Sequence, residues 1–305
     1  MASSSTGSTP SGWRPARSNL TQDHLDYHAD MDQYRAAKLR LFKDLMPAGA
    51  PAVVNADSPE RGAFEAAARV AGLEVVSVGW RGDDLKIEEL MPRATGQKLF
   101  LKWRGESFVV DLPLIGEFQA LNALTAAGLA LSLGAPLEGV CKGMEGLEPV
   151  KGRLEFVGET RDGAGVFVDY AHTPDGLDVL IRAARPHTAG KLVVIFGCGG
   201  DRDRKKRPLM GEIAAKHADV VIVTDDNPRS EDPDTIRKAI LGAVPDGIEI
   251  ADRGEAIRTA VADLKQGDTL LIAGKGHETG QIVGSAVIPF SDQETAKAAL
   301  EGVNA

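Results

Sequence analysis

The sequence predicts an α/β protein, because strand-length apolar runs alternate with helix-length amphipathic segments along most of the chain. A second observation is that several of these runs end in polar turns that contain Gly or Pro. The clearest run, 219–224, is rich in β-branched residues and is followed by Asp226-Asn227-Pro228-Arg229. Such a run is typical of a buried parallel strand, and open α/β sheets bind their ligands at the carboxyl ends of such strands.

The first half of the chain is predicted to hold a leader, a helix, a βαβ unit, a hairpin and two further helices. Residues 1–18 are rich in Ser, Thr, Gly and Pro, and we expect this leader to be disordered. A helix begins near Thr21 and ends before Pro47. Strands are predicted at 52–55 and 73–78 around a helix at 61–71, a hairpin at 98–103 and 107–112, and helices at 117–133 and 136–146. A change of composition at 148–153 predicts a domain boundary after residue 150.

Strands and helices alternate more regularly in the second half, which predicts a doubly wound sheet in residues 151–305. The predicted strands are 166–169, 192–196, 220–224 and 269–273. The predicted helices are 176–184, 208–217, 233–243 and 255–264. Because parallel strands end at one edge of a sheet, the polar turns that follow them should gather there.

The composition excludes several functional classes. A formal charge of -9 argues against nucleic acids and membrane surfaces as partners, since both favour a basic face. Cys141 and Cys198 are too few for a disulfide framework, and no apolar run is long enough to insert into a membrane. We therefore expect a globular cytoplasmic protein.

The turn Asp226-Asn227-Pro228-Arg229 is the most informative candidate site. Pro228 restricts the backbone, and the guanidinium of Arg229 is a planar fork that can hold a carboxylate through two hydrogen bonds. This pattern predicts selection of an amino acid by its carboxylate. The alternative is an ordinary turn with a solvated arginine.

Three other turns carry candidate ligand groups. In 169–174, Asp169 could accept hydrogen bonds from a ribose and His172 could face a phosphate, or the segment could serve only as a helix cap with Thr173 as the N-cap. The turn 197–208 combines glycines with five basic side chains, which favours an anion over a solvated charge run. In 274–278, Gly274 allows a ligand near the backbone and Glu278 could anchor an ammonium group.

The N-terminal helix has an unusual lysine. Lys38 falls on the same stripe as the apolar residues Met31, Tyr34, Leu41 and Leu45, so it either extends to solvent or is chemically altered. Upstream, the segment 23–28 places His24 near a second histidine and two aspartates, which could bind a cation.

Eight segments together resemble the Mur ligase family. They are 19–28, 34–38, 116–122, 151–153, 169–174, 199–203, 226–229 and 274–278, in the family's order. The resemblance covers about residues 19–300 and is strongest to the members that add meso-diaminopimelate. It implies part of a central ATPase domain in 19–150 and a whole C-terminal Rossmann-like domain in 151–305, without the N-terminal UDP-sugar domain.

The resemblance also implies an ATP- and Mg²⁺-dependent amide ligase of peptidoglycan biosynthesis, which serves cell wall biogenesis, cell shape and cell division. ATP would phosphorylate the D-glutamate carboxylate of UDP-N-acetylmuramoyl-L-alanyl-D-glutamate, and the amine of meso-diaminopimelate would attack the acyl phosphate. Lys38 matches the carbamylated lysine that binds Mg²⁺, and His24 matches a histidine of the metal site. The matches to nucleotide contacts are Asn122, Arg153, Asp169 and His172. The matches to the meso-diaminopimelate pocket are Arg202, Asp226, Asn227, Arg229, Gly274 and Glu278.

Two hypotheses follow from what the chain does not match. The family's Gly-rich phosphate loop and its upstream metal-binding glutamate have no counterpart here, so we expect no ligase turnover by this chain alone. The first hypothesis is a ligase represented by a C-terminal fragment or by a product with a mistaken start, with the missing half encoded by an upstream reading frame or carried on a partner chain. The second is a non-catalytic module that keeps an amino-acid pocket or a partner surface. A dehydrogenase is disfavoured, because no G-x-G-x-x-G follows a strand.

Overall fold

A computed structural model of the protein describes residues 16–17 and 31–304. By its internal contacts the chain divides into two compact units. The first takes in the described residues through Met91, together with Lys98–Leu112 and Phe118–Gly146. The second consists of Pro92–Gln97, Pro113–Glu117 and the described residues from Leu147 onward. No helix in the described part of the chain is long and apolar enough to cross a membrane.

The first unit is built on a six-stranded sheet in the order β1-β2-β3-β4-β5-β6. Its elements are β1 (Ala16–Arg17), α1 (Met31–Arg40), a π-helical turn (Leu41–Leu45), β2 (Pro51–Asn55), α2 (Arg61–Val70), β3 (Glu74–Gly79), β4 (Leu85–Arg93), β5 (Gly96–Trp103), β6 (Glu106–Leu112), α3 (Glu117–Ser132) and α4 (Leu137–Glu145). The predicted βαβ unit is confirmed as β2, α2 and β3, whose strands are parallel. The predicted hairpin corresponds to β5 and β6, whereas β4 was not predicted.

The predicted disordered leader is wrong for two of its residues. Ala16–Arg17 forms a short strand that pairs in parallel with β2, because Ala16 and Arg17 lie in register with Val53 and Val54. The rest of the leader, and the part of the first helix before Met31, lie outside the described residues.

The predicted apolar stripe of the first helix is displaced by about one position. Phe42 and Met46 are buried and pack with Leu39 against α2 and β2, whereas Leu45 is 67% exposed and Lys38 is also exposed. The π-helical turn at Leu41–Leu45 adds a residue to the turn and rotates the side chains that follow it, which accounts for the exposure of Leu45. Lys38 precedes this turn and is exposed on α1.

The second unit contains the predicted doubly wound sheet, in the order β11-β10-β9-β12-β8-β7. Its elements are β7 (Glu155–Glu159), β8 (Gly165–Asp169), α5 (Pro174–Ala184), a short 3₁₀ helix (Arg185–His187), β9 (Leu192–Phe196), α6 (Lys206–His217), β10 (Val220–Val223), α7 (Pro233–Leu241), β11 (Ile248–Glu249), α8 (Arg253–Asp263), β12 (Thr269–Ala273), β13 (Gly280–Val283), β14 (Ala286–Pro289) and α9 (Asp292–Asn304). The strands from β11 to β8 in this order are parallel, and β7 pairs antiparallel with β8. All four predicted strands and all four predicted helices are present, while β7, β11, the β13–β14 hairpin and α9 were not predicted.

The core of the second unit is formed by the apolar strand residues. Val168, Ile195 and Ile272 are fully buried and belong to one cluster with residues of α8 and α9. Because the strands of a parallel sheet are covered on both faces, they are continuous apolar runs, and this made them visible in the sequence.

His187 explains why two short segments far from the predicted boundary belong to the second unit. Its Nε2 accepts a hydrogen bond from the backbone N–H of Gly116 (3.0 Å), so Nδ1 carries the proton and donates to the carbonyl oxygen of Arg93 (2.8 Å). The predicted boundary after residue 150 lies in the segment without regular structure that follows Gly146.

Arg253 and Asp292 form a fully buried ion pair at the carboxyl end of β12. The guanidinium donates from Nε to Oδ1 (2.7 Å) and from NH2 to Oδ2 (2.8 Å) of Asp292. NH2 also donates to the carbonyl oxygen of Ala273, the last residue of β12 (2.9 Å). One side chain therefore joins the first residues of α8 and α9 to the end of a central strand.

Arg253→Met should lower the free energy of unfolding by about 3–5 kcal/mol, because it leaves the carboxylate of Asp292 buried without its partner. Urea denaturation followed by circular dichroism measures the loss. The matched control is Arg258→Met on the same helix, where a 62% exposed arginine lies 3.7 Å from Asp252 and should change stability by less than about 0.5 kcal/mol. Similar losses in the two variants would contradict this account of the pair.

Stability should fall as the pH drops below about 6.5, in part through His187, since burial lowers the pKa of its imidazole. The unfolded chain takes up a proton there at a pH at which the folded chain still holds the ring neutral. His187→Gln should reduce this loss, whereas His172→Gln, at an exposed histidine, should preserve it. Urea midpoints between pH 5 and 8 test the difference, and an unchanged pH dependence in His187→Gln would refute the assignment.

Candidate functional site

The polar turns of the second unit meet at the carboxyl edge of its sheet, as the sequence predicts. The backbone N–H of Gly200, after β9, donates to the carbonyl oxygen of Asn227, after β10 (2.9 Å). The N–H of Gly274, after β12, donates to the carbonyl oxygen of Asp169, at the end of β8 (3.1 Å). These bonds join β9 to β10 and β12 to β8 at their ends, and Lys275, after β12, reaches Asn227, after β10, so that the turns of four adjacent parallel strands lie together.

Asn227 is the centre of a hydrogen-bond network at this edge. Its side chain is buried, and its Oδ1 accepts from Nζ of Lys275 (3.0 Å) and from the backbone N–H of Ile282 (2.9 Å). Its Nδ2 donates to Oε2 of Glu278 (3.0 Å). Because both ends of the amide are engaged, this network defines its orientation.

Lys275 is a member of the site that the sequence analysis did not name. The residue is fully buried, and its Nζ also lies 3.3 Å from Oε2 of Glu278. Glu278 was predicted to anchor an ammonium group, and the ammonium that it contacts in the structure is that of Lys275. A sequence signal for Lys275 does exist, because this lysine lies between two glycines in the turn that follows the buried strand β12.

Arg229 keeps hydrogen-bond donors available. Its backbone is left-handed (φ 52°), its N–H donates to the carbonyl oxygen of Ile282 (3.0 Å), and its carbonyl accepts from the N–H of Gly284 (2.7 Å). In the partly buried side chain, NH1 donates to the carbonyl oxygen of Gly200 (2.9 Å). Within the described part of the chain, nothing accepts a hydrogen bond from Nε or NH2. The guanidinium is therefore anchored through NH1, and its Nε and NH2 can donate two parallel hydrogen bonds to a carboxylate.

Asp226 and Gly274 are adjacent, and the structure gives the glycine a role besides the predicted one. A Cβ at position 274 would lie 2.7 Å from Oδ2 of Asp226, and φ at Gly274 is +118°. The glycine thus makes room for the buried aspartate. The backbone carbonyl of Asp226 accepts from Nε2 of Gln281 (2.7 Å), which attaches the β13–β14 hairpin to this turn.

Three of the five basic side chains of the run after β9 bind groups in other parts of the protein. Arg207 is buried and forms two hydrogen bonds with Glu231, to which Arg204 also binds (3.1 Å). Arg207 lowers the pKa of the Glu231 carboxyl. Nζ of Lys206 donates to the carbonyl oxygen of His172 (2.8 Å). Arg202 is exposed, with NH1 on the carbonyl oxygen of Asp201 (3.3 Å).

The predicted nucleotide contacts of the second unit lie together around Tyr170. The guanidinium of Arg153 lies 4.9 Å from the ring centroid of Tyr170, and the ring of His172 lies 4.6 Å from it. Asp169 accepts from the N–H groups of Leu154 and Ala171, both at 2.7 Å, and burial raises the pKa of its carboxyl. Asp169 thus has a structural role in addition to the predicted one. Thr173 is the N-cap of α5, as expected, through a bond from the N–H of Gly176 (3.1 Å).

The remaining predicted residues lie in the first unit or outside the described residues. Asn122 is exposed on α3 and Lys38 is exposed on α1, both in the first unit. His24 lies outside the described residues. Among residues 16–17 and 31–304 there is no group of three or more His, Cys, Asp or Glu side chains that could hold a metal ion.

Comparison with known proteins covers both units. The family model "Mur ligase middle domain" matches residues 16–130, and "Mur ligase, glutamate ligase domain" matches residues 152–276. A curated relative from Caulobacter vibrioides, "UDP-N-acetylmuramoyl-L-alanyl-D-glutamate--2,6-diaminopimelate ligase", is 56% identical over 287 residues, which are 94% of this chain and 59% of the relative. The relative of the same name from Mesorhizobium japonicum is 53% identical over 92% of this chain and 58% of its own length. The chain therefore spans about three fifths of the length of these relatives.

Solved structures agree with this placement. "Structure of UDP-N-acetylmuramoyl-L-alanyl-D-glutamate--2, 6-diaminopimelate ligase" superposes with a TM-score of 0.73 at 33% identity, over 93% of this chain and 59% of that one. A MurF ligase from Thermotoga maritima in complex with ADP superposes with a TM-score of 0.64 at 19% identity, over 92% of this chain and 59% of that one, which shows a common fold.

Gly274→Ala should destabilise the second unit by about 1–3 kcal/mol, because a side chain at that φ is strained and would contact Asp226. The matched control is Gly302→Ala on α9, where a Cβ would meet nothing within 4 Å, and where alanine should be neutral or stabilising by up to about 1 kcal/mol. Thermal unfolding of both variants measures this difference in stability. Equal melting temperatures would show that the turn tolerates a side chain there.

Proposed function

This chain belongs to the Mur ligase family, and we propose that it is the amino-acid-binding part of an ATP-dependent ligase that adds meso-diaminopimelate to UDP-N-acetylmuramoyl-L-alanyl-D-glutamate. The observation that carries the proposal is the polar edge formed by the turns after β10 and β12. It brings Arg229, Asp226 and Glu278 together as one cationic and two anionic groups. The chain matches about three fifths of its relatives, so the complete reaction is proposed for the longer protein.

The charges of this edge suit a diamino dicarboxylic acid. A carboxylate of the ligand would bind Nε and NH2 of Arg229, which have no acceptor among the described residues. An ammonium group of the ligand would bind Glu278, whose Oε1 accepts no hydrogen bond from a described residue. Arg202, Asp226, Asn227 and Gly274 would complete the pocket. In this proposal Asn227 and Gly274 act chiefly by holding the carboxylates of Glu278 and Asp226 in place.

We propose a nucleotide site around Tyr170. Arg153 and His172 are exposed at its ring and would contact ATP, while Asp169 holds the backbone on which Arg153 lies. Asn122 of the first unit is proposed on family likeness as an adenine contact. In the longer protein, ATP would activate the D-glutamate carboxylate as an acyl phosphate, which the amine of meso-diaminopimelate would then attack. The likeness to the Mur ligase family supports this assignment.

The proposed Mg²⁺ site rests on family likeness alone. Lys38, as a carbamate, and His24 are its proposed ligands, but the described residues do not form a metal-ligand set around Lys38. We therefore assign no step of the reaction to the metal. A cytoplasmic location and roles in cell shape and cell division are proposed on the same likeness.

The intact 305-residue chain should bind meso-diaminopimelate and discriminate against L-lysine, which lacks the distal carboxylate, by up to about 10⁴-fold. Arg229→Met should lower the affinity for meso-diaminopimelate at least tenfold, of the order expected for losing a charged pair. It should change the affinity for lysine little. Isothermal titration calorimetry with both amino acids measures these effects.

The control for this titration is Arg182→Met on α5, a 67% exposed arginine that lies 3.5 Å from Asp178. This variant should bind both ligands like the wild type. Equal affinity of the wild-type chain for meso-diaminopimelate and lysine would refute the proposed amino-acid pocket.

A further inference from the structure

We propose that Lys275 is a positioning residue that determines which oxygen of Glu278 meets the ammonium group of the bound amino acid. The inference rests on the proposed function, and it concerns a residue that contacts two members of the pocket from inside the protein. Lys275 is fully buried, so it touches the ligand only through these neighbours.

The two carboxylate oxygens of Glu278 differ in their hydrogen-bond partners. Oε2 receives two donors, Nζ of Lys275 (3.3 Å) and Nδ2 of Asn227 (3.0 Å). Oε1 receives no donor from the described residues, and the Glu278 side chain is 33% exposed. The carboxylate is thus held by one oxygen and presents the other. A ligand ammonium therefore meets an acceptor at a fixed place rather than a rotating carboxylate.

The same ammonium also orients Asn227. An amide could in principle turn over and exchange its oxygen and nitrogen, but Oδ1 faces two donors, Nζ of Lys275 (3.0 Å) and the N–H of Ile282 (2.9 Å). Reversal would place an NH₂ group against an ammonium. Lys275 therefore keeps Nδ2 directed at Oε2 of Glu278.

A purely structural role would not need this charge. Burying an ammonium is costly, and an apolar side chain of similar size generally packs as well or better. Lys275 lies between Gly274 (φ +118°) and Gly276 (φ +54°), two backbone conformations that glycine adopts without strain. The buried ammonium of Lys275 makes both of its hydrogen bonds to pocket residues, Asn227 and Glu278. Its role is therefore to orient these two polar side chains.

Replacing Lys275 removes both a positive charge and the orientation of Glu278, and these two changes affect ligand binding in opposite directions. Removing the Lys275 charge leaves the edge more negative, which would attract any ammonium more strongly. Loss of orientation would weaken the specific contact instead. The two effects predict opposite changes in the preference for a ligand that carries the ammonium over one that lacks it.

The test uses Lys275→Met in the intact chain and calorimetric titration with meso-diaminopimelate and with the two enantiomers of 2-aminopimelate, each of which lacks one ammonium group. We expect the wild type to prefer meso-diaminopimelate over one of these enantiomers by about tenfold or more, of the order of a hydrogen bond between charged groups. Lys275→Met should remove most of that preference, while its affinity for the same enantiomer changes less than about twofold. Lys297→Met, at an exposed lysine of α9, is the matched control and should retain the preference.

A second variant tests whether Lys275 acts through Glu278. Glu278→Gln should lose the same preference, and adding Lys275→Met to it should cause no further change, whereas independent roles would give additive losses. The double variant also removes both charges of the pair, which guards against misfolding caused by one unpaired charge.

The outcomes separate the two proposals. A wild-type chain that does not bind meso-diaminopimelate would overturn the proposed function and this inference with it. A chain that binds and keeps its preference in Lys275→Met would overturn the inference alone. Equal weakening for all three ligands, or unfolding of both Lys275 variants by circular dichroism, would show that Lys275 serves packing and would also overturn it.

Discussion

The buried pair between Arg253 and Asp292 is the constraint on which the candidate site depends. It fixes the first residues of α8 and α9 to the carbonyl oxygen of Ala273, and the site turn Gly274–Glu278 begins at the next residue. Nε2 of Gln293, the next residue of α9, donates to the carbonyl oxygen of Gly276 (2.9 Å) and so adds a second attachment of this turn. A fully buried ion pair adds little net stability, because the cost of desolvating the two charges offsets their attraction. It nevertheless restricts the two side chains to a narrow range of geometries. The position of the pocket therefore follows from a contact outside it.

The site is assembled from opposite charges that are already partly satisfied. Lys275 lies against Glu278, and Arg204 and Arg207 are paired with Glu231. Among the described residues of the pocket, an edge of the Arg229 guanidinium and one oxygen of Glu278 keep hydrogen-bonding capacity for a ligand. Selectivity in such a site comes from the small number of open partners, because a ligand that leaves any of them unpaired is penalised.

Strands and helices could be predicted from local sequence patterns, whereas side-chain contacts between residues distant in the sequence could not. Strands β9 and β12 were predicted to the residue, since uninterrupted apolar runs between polar turns are the mark of a sheet covered on both faces. Leu45 was predicted on the apolar stripe but is exposed, because the π-helical turn that contains it leaves no clear periodic signal. The burial of Lys275 and the pairing of Arg207 with Glu231 require contacts across the fold, so periodicity could not reveal them.

The β13–β14 hairpin holds the backbone of the pocket loop, whereas the side chain at position 229 provides the group that would bind a ligand. It holds position 229 by the backbone alone, through the N–H and the carbonyl of that residue, and it holds Asp226 through its carbonyl. A replaced side chain at 229 leaves these bonds available. Evolution could therefore exchange the group that selects the ligand without rebuilding the loop that carries it. The hairpin thus keeps the loop in place whichever side chain occupies position 229.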